Sequence, residues 1–341
     1  MTDLQTPPSE VSLASPERSV DTTNTLFHSP AWHDAVEEAF GLTIATFEPP
    51  SEPSGAAWYS VVDDIRGKRV VGIPFSDFCE PRIATAQGWS EYTQHLRGYE
   101  CPVTLRPFVN SQALTDHSFE HVGGLVWHGI DIRAGAEDLF ERVSTKVRTK
   151  IRRPEKQGVT FRLSSAPEDI AHMHKMHVEL RKNKYSMLAQ PKRFFEALSA
   201  NFGEDMVVCF AELDGEPIAG MTFFAWNDVW YYKFSASKLG SIRPNPALMM
   251  FAIRRGADRN LGWVDMGRSD DGQAGLLDFK GQFRPEMKSL TTLRWSPENF
   301  DNPQGNATGA MLGQLTDLLT ESEVPNATTT AAGDLLYKYF A

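Results

Sequence analysis

The chain has 341 residues, 41% of them hydrophobic and 23% charged, with a formal net charge of −10. That length suits two domains, or one with a tail, and that composition is an ordinary globular one. It excludes a protein that coats nucleic acid over its whole surface, and a partner such as DNA is not expected; one local basic patch remains compatible with it. No apolar run approaches the roughly 20 residues of a membrane span, and the amino terminus has no basic patch followed by an apolar stretch, so the expected location is cytoplasmic. Cys79, Cys101 and Cys209 are too few and too scattered for a disulfide framework or a zinc knuckle and read as core thiols.

Residues 1–24 are rich in Pro, Ser, Thr and Glu with almost no apolar periodicity, which predicts a solvated, disordered tail. Ser29-Pro30 opens a helix through Trp32, Val36 and Phe40 that Gly41 closes, and a short strand at 43–47 follows. Residues 57–62 and 69–73 read as a hairpin about a turn containing Gly67. A helix around 89–96, a strand at 102–105 and a strand pair around 119–132 complete a mixed first domain over 25–135.

The second domain, 136–295, has a more regular pattern. Leu139, Val143, Val147 and Ile151 at spacing four predict one helix over 138–157, closed by Gly158. A strand from Val159 to Leu163 precedes two helices opened by Pro167 and Pro191. Three strands over 206–213, 217–226 and 229–235 are joined by Asp214-Gly215 and Asn227-Asp228, which is hairpin chemistry. A helix over 246–260, a strand at 263–266, a helix at 276–283 and a strand at 289–295 follow. Beyond Trp295, over 296–341, lie a helix at about 311–319 and a closing stretch, 335–340, placed to fold back on the first domain.

Seven basic residues lie between Arg142 and Lys156, against two acids, in an otherwise acidic chain. Since the apolar stripe takes one helix face, Arg148, Lys150, Arg152 and Arg153 project from the others, either as a solvated face or as a contact for a phosphate-bearing ligand or a tRNA acceptor end. Asp265, Gly267, Arg268 and Ser269 end a predicted buried strand and lead into a Gly-rich loop, where ligands gather in open α/β sheets; the plainer reading is that Asp265 caps a turn and Gly267 needs a positive φ. Lys280, beside Phe279, is a cation able to stabilise a developing oxyanion if a substrate cleft adjoins it. His174 and His177 share a helical face, but His177 falls on the apolar stripe, so no metal site is expected. No Gly-x-Ser-x-Gly elbow, Walker loop or dinucleotide fingerprint is present.

Val147-Arg148-Thr-Lys150-Ile151-Arg152-Arg153, the Asp214-Gly215 hairpin with Ile218-Ala219-Gly220, Asp265-Met-Gly267-Arg268-Ser269 and Phe279-Lys280 resemble the FemAB/FemX-like branch of the GNAT acyltransferase superfamily. Pro74-Phe75-Ser76-Asp77-Phe78 is similar to a segment of that family's first domain. The resemblance implies an α/β fold of two tandem GNAT-like domains, the first degenerate, with mixed, mostly antiparallel sheets flanked by helices. It also implies an acyltransferase that forms an amide on an amine acceptor, small or cell-wall-precursor-like, with no permanently bound cofactor. Its donor would be aminoacyl-tRNA or, in other branches, acyl-CoA. Lys280 and Phe279 would then flank the reacting carbonyl, with Asp265 and Asp77 as candidate bases, and Arg148, Lys150, Arg152, Arg153, Tyr232, Arg243, Arg268 and Ser269 as substrate contacts. The segment from Ser241 to Ala247 carries Pro244 and Pro246 where a CoA-binding GNAT has glycines. Proline donates no backbone hydrogen bond, which favours aminoacyl-tRNA. A non-catalytic binding protein with a GNAT cleft is the alternative from another class.

Overall fold

The computed structural model describes residues 20–238 and 240–341. Residues 1–19 of the expected tail lie outside the described residues. Val20 and Thr22, expected in the tail, are instead buried, and Asn227 Nδ2 donates to the Asn24 carbonyl at 2.6 Å, so packing begins before Leu26.

Ahead of the meander come α1 (Pro30–Phe40), β1 (Ala45–Phe47), β2 (Ala57–Val62), β3 (Arg69–Val71), α2 (Ala86–Arg97), β4 (Val103–Leu105), the short α3 (Ser111–Leu114) and β5 (Glu120–Asp131). Next are α4 (Ala136–Arg142), α5 (Thr145–Lys156), β6 (Thr160–Ser164), α6 (Pro167–Tyr185) and α7 (Lys192–Phe202). The meander is β7 (Met206–Leu213), β8 (Glu216–Trp226) and β9 (Val229–Ser237). After it come α8 (Asn245–Asp258), β10 (Trp263–Asp270), α9 (Ala274–Gly281), β11 (Glu286–Trp295), α10 (Pro303–Leu319) and α11 (Asn326–Leu336) with a 3-10 turn at Tyr337–Phe340.

Local chemistry sets most of these boundaries. Ser29 accepts from the Trp32 N–H to cap α1, Pro30 occupies the first turn, and Gly41 stops the helix at φ +67°. Asp214 and Gly215 both take positive φ, as the two central residues of a tight hairpin require. The helix expected over 138–157 is two helices, because Val143 is extended and Ser144 caps α5 by accepting from Val147 N. The stripe of Leu139, Val143, Val147 and Ile151 is buried across the break all the same. The strand pair expected around 119–132 is one long strand, since β5 pairs with β11 along one edge and β10 along the other. α11 was not legible, its Asn-Ala-Thr-Thr-Thr-Ala-Ala-Gly run having too few large apolar residues to show a stripe.

The strands form one mixed, mostly antiparallel sheet in the order β1-β2-β3-β4-β11-β5-β10-β9-β8-β7-β6. Among the described residues only the β3–β4 and β9–β10 pairs are parallel. On one face α1, α6 and α7 pack Trp32, Met173, Phe194 and Phe195 against Phe210 and Phe234. On the other, α4, α5 and α8 pack Leu139, Val147, Ile151 and Leu248 against Cys209, Phe223 and Trp230. A third cluster places Trp89, Tyr92 and Leu96 of α2 on β2, β3 and β4. β11 joins the two parts of the molecule: its residues 293–295 pair with β4 while residues 286–294 pair with β5.

Leu293 lies at that joint, opposite Leu105 on one side and His121 on the other, and is fully buried. The variant L293A is expected to lose about 2–5 kcal/mol of stability by leaving a cavity in the seam. Urea unfolding followed by tryptophan fluorescence measures this, and a loss well below 1 kcal/mol would show that the seam carries no weight.

Candidate active site

β9 and β10 run parallel side by side only over Val229–Tyr231 and Trp263–Asp265. Past that point both depart from regular register. On β9, Tyr232 faces Phe223 but Phe234 faces Thr222, leaving Lys233 as the extra residue of a bulge. On β10, Asp265 faces Gly129 but Arg268 faces Trp127, and Gly267 takes φ +69°. The two strands diverge at the sheet's middle, and their bulged residues point into the opening.

The segment after β3 reaches into this opening. Ser76 Oγ donates to the Ile73 carbonyl at 2.7 Å, and Arg106 Nη1 donates to the carbonyls of Ser76 and Asp77 at 3.2 and 3.4 Å. So held, Asp77 accepts from Lys233 Nζ at 3.0 Å, with Arg268 Nε 3.7 Å away. Burial works against the Asp77 carboxylate, but the Lys233 and Arg268 charges outweigh it and hold its pKa below the usual range. Lys233 is partly buried beside aromatic rings, its side chain 11% exposed and its ammonium 4.6 Å from the Phe27 centroid and 5.4 Å from that of Trp32. A Cβ on Gly267 would stand 3.1 Å from Asp77 Oδ2, so the bare backbone at this position is what lets the two parts of the chain meet.

Lys280 enters from α9 and is 1% exposed. Its ammonium donates to the carbonyls of Gly267 at 3.0 Å and Arg268 at 2.8 Å. An ammonium has three N–H bonds, so one remains for a ligand. Burial lowers its pKa to about 8, against the pull of Asp77 and Asp265. Asp265 lies beneath, accepting from the Gly267 N–H at 2.6 Å, and burial together with the Asp77 charge raises its pKa to about 6.

A cavity of about 770 Å³ opens over these groups, lined by Arg106, Arg181, Lys233, Arg268 and Lys280 together with Asp77 and Asp270. Its apolar wall includes Phe75, Leu180, Phe194 and Tyr337. In an acidic protein this excess of cations is local, and it suits an anionic ligand. Of the residues expected to act in catalysis or to contact substrate, Lys280, Asp77, Arg268 and Tyr232 line the cavity.

The others do not. Phe279 packs into the core on the α8 face, edge-on to Phe283, so the aromatic–lysine couple places only its lysine at the cavity. Asp265 and Ser269 are buried below it, and Arg243 stands outside the lining. The basic helix α5 lies on the opposite face of the sheet from α6. There Arg148 Nη1 donates to the Glu141 carbonyl at 2.7 Å, Arg152 stacks 4.9 Å from the Phe140 ring, Lys150 bonds Gln282 Oε1 at 3.0 Å, and Arg153 is exposed. Spacing placed these cations off the apolar stripe correctly but carried no information on which side of the sheet the stripe would lie. Neither candidate base is well placed: Asp265 is covered, and Asp77 is held ionised by two cations. Lys233 and Arg106 were missed, and a lysine within an apolar strand was the available signal for the first. His174 and His177 hold the loop before α7 through the Gln190 carbonyl and side chain, at 3.0 and 2.8 Å.

Removing Asp77 leaves the largely covered Lys233 charge without its counter-ion. D77A is expected to cost about 3–5 kcal/mol, and the double variant D77A/K233M to recover much of that loss. Thermal or urea unfolding of the four species in this cycle checks it, and additive losses would show that the two groups do not act as a pair.

With this geometry in view, the likeness to known proteins is informative. The profile of the acetyltransferase (GNAT) domain matches residues 141–281. No curated protein matches the sequence. Among solved structures, FemX aligns at 12% identity with a TM-score of 0.57, covering 79% of this chain and 92% of its own. L-PGS from Bacillus licheniformis aligns at 14% identity and 0.55, covering 85% and 97%. The C-terminal DUF2156 domain of a protein assigned as a lysylphosphatidylglycerol synthetase, from Agrobacterium fabrum, aligns at 13% and 0.53, covering 82% and 90%. At such identities the structures establish a shared fold. The matched segment holds Arg181, Lys233, Arg268 and Lys280; residues 141–281 form a GNAT-type acetyltransferase domain, and the chain has the fold seen in FemX.

Proposed function

We propose that the cavity carries FemX-like aminoacyl transfer from aminoacyl-tRNA to an amine acceptor, small or cell-wall-precursor-like. The observation behind this reading is Lys280, an ammonium fixed by two main-chain carbonyls at the cavity wall with one N–H to spare. The acceptor nitrogen attacks the carbonyl carbon of the donor ester, and the oxyanion that forms takes the free N–H of Lys280. The C–N bond forms, the C–O ester bond breaks, and the proton lost by the amine passes to the departing ribose oxygen. No side chain is required as base, in keeping with the covered position of Asp265 and the ion-paired state of Asp77.

Support for the tRNA donor comes from the start of α8. Pro244 stands at its cap and Pro246 in its first turn, and neither has an N–H to offer a pyrophosphate. The exposed cations Arg152 and Arg153 of α5 remain available for the body of a large polyanion on the sheet's other side. The second reading, an acyl-CoA-dependent N-acyltransferase acting on a small amine or a sugar nucleotide, is favoured by the acetyltransferase description of the matching profile.

Transfer of label from a panel of charged tRNAs to amine acceptors is the direct assay, run beside a titration with CoA. Consumption of acetyl-CoA with no transfer from any tRNA would overturn the first reading in favour of the second. K280A is expected to lower kcat by about 10²–10³ while the fold is kept. Because the working form of Lys280 is the cation, the advantage of wild type over K280A at each pH is expected to be full well below pH 8 and to shrink as the pH rises through about 8. A K280A enzyme with unchanged turnover, or an advantage that shrinks only near pH 10, would remove Lys280 from the mechanism.

A further inference from the structure

The cavity has a second cationic end. Arg66 and Arg69 flank the turn between β2 and β3, line the cavity, and both reach residues 337–341. Arg66 Nη1 donates to the Tyr339 carbonyl at 2.8 Å and Arg69 Nε to the Ala341 carbonyl at 3.1 Å. The two arginines differ in what else holds them. Arg69 forms a two-pronged pair with Asp64, at 2.9 and 3.0 Å. Arg66 makes no ion pair among the described residues; Asp64 accepts from its main-chain N–H instead, at 2.8 Å. Burial and the neighbouring Arg69 both act against the charge of Arg66.

A guanidinium in a cavity wall, beside a second guanidinium and satisfied by a neutral carbonyl, is under-used: its planar fork matches a carboxylate or phosphate and binds either more strongly than an amide oxygen. The turn that supplies the carbonyl is anchored at its start and open at its end. Tyr337 packs its ring 5.6 Å from Phe75 and 6.3 Å from Phe40, whereas Phe340 is 43% exposed. The helix before it is anchored separately, since Asp334 Oδ1 accepts from Lys192 N at 3.0 Å and the Asp334 carbonyl from Arg193. The anchors of α11 are thus separate from the arginine contacts that hold residues 339 and 341.

We infer that Arg66 is a distal anion site for the acceptor, and that the Tyr339 carbonyl stands in for the ligand's anionic oxygen. The acceptor class is an amine with a carboxylate or phosphate at its far end. When that anion takes Arg66, the Tyr339 carbonyl is released and the 337–341 turn swings off the cavity mouth. Arg69 stays with Asp64. The acceptor assignment rests on the aminoacyl-transfer reading, but the site is tested by binding and exchange alone, with no turnover.

The test is hydrogen exchange of the full chain with pyrophosphate in one arm and glutarate in another, together with calorimetric titration of each. With the effective anion, amides of 337–341 are expected to exchange at least about tenfold faster while those of α11 are unchanged. R66Q is expected to bind that anion about tenfold more weakly or worse, and to show fast exchange at 337–341 without it. R66K, which keeps the charge and loses the fork, should fall between. The arm that responds identifies the anion as phosphate or carboxylate. Unaltered exchange at 337–341 in the wild type with both anions overturns the proposal, and so does equal binding by R66Q. Should R66Q not fold, the wild-type exchange result decides alone.

Discussion

The ion pair of Asp77 with Lys233 is the contact on which the site's geometry depends. Asp77 comes from the segment after β3 and Lys233 from the bulge of β9, 156 positions apart in sequence. Taking both charges out of water is costly, and their attraction repays it only if each is held where the other needs it. Arg106 fixes the carbonyls beside Asp77, the rings of Phe27 and Trp32 cover Lys233, and Arg268 adds a second cation. The first part of the chain thus supplies the carboxylate that balances the cations of the second.

Two bulges convert a continuous sheet into a site. Without the extra residue at Lys233 and the slip at Gly267, β9 and β10 would pair along their length and their carbonyls would be consumed by the ladder. Because they part, the carbonyls of Gly267 and Arg268 are free to hold the Lys280 ammonium. The same main-chain irregularity that breaks the sheet therefore builds the cation's socket. Asp265, accepting from the Gly267 N–H, holds the turn in that shape.

Much of this was legible in the sequence where one physical signal ruled. The meander follows from alternating apolar residues and from Asp214-Gly215, and α6 and α7 from their prolines and stripes. Lys280 and Arg268 were singled out by their place after a buried strand and by family resemblance. The joining of all strands into one sheet was hidden because pairing between β11 and β4 is set by tertiary contact, which no local pattern encodes. Lys233 was hidden for a related reason: a bulge shifts the phase of alternation, so the strand Val229–Ser237 shows no clean inward and outward rows. The basic residues of α5 attracted attention through composition, whereas the cations that line the cavity are dispersed along the chain and meet only in the fold.

The insertion of β11 between β4 and β5 also orders events during synthesis. Residues 45–131 emerge from the ribosome with β4 and β5 each lacking a neighbour, and that neighbour is not made until residue 295. Until then unpaired strand edges face solvent, open to pairing with other chains. A truncation anywhere before β11 would therefore leave the earlier part of the sheet unfinished as well, and chaperone dependence should track the time taken to translate the last strand.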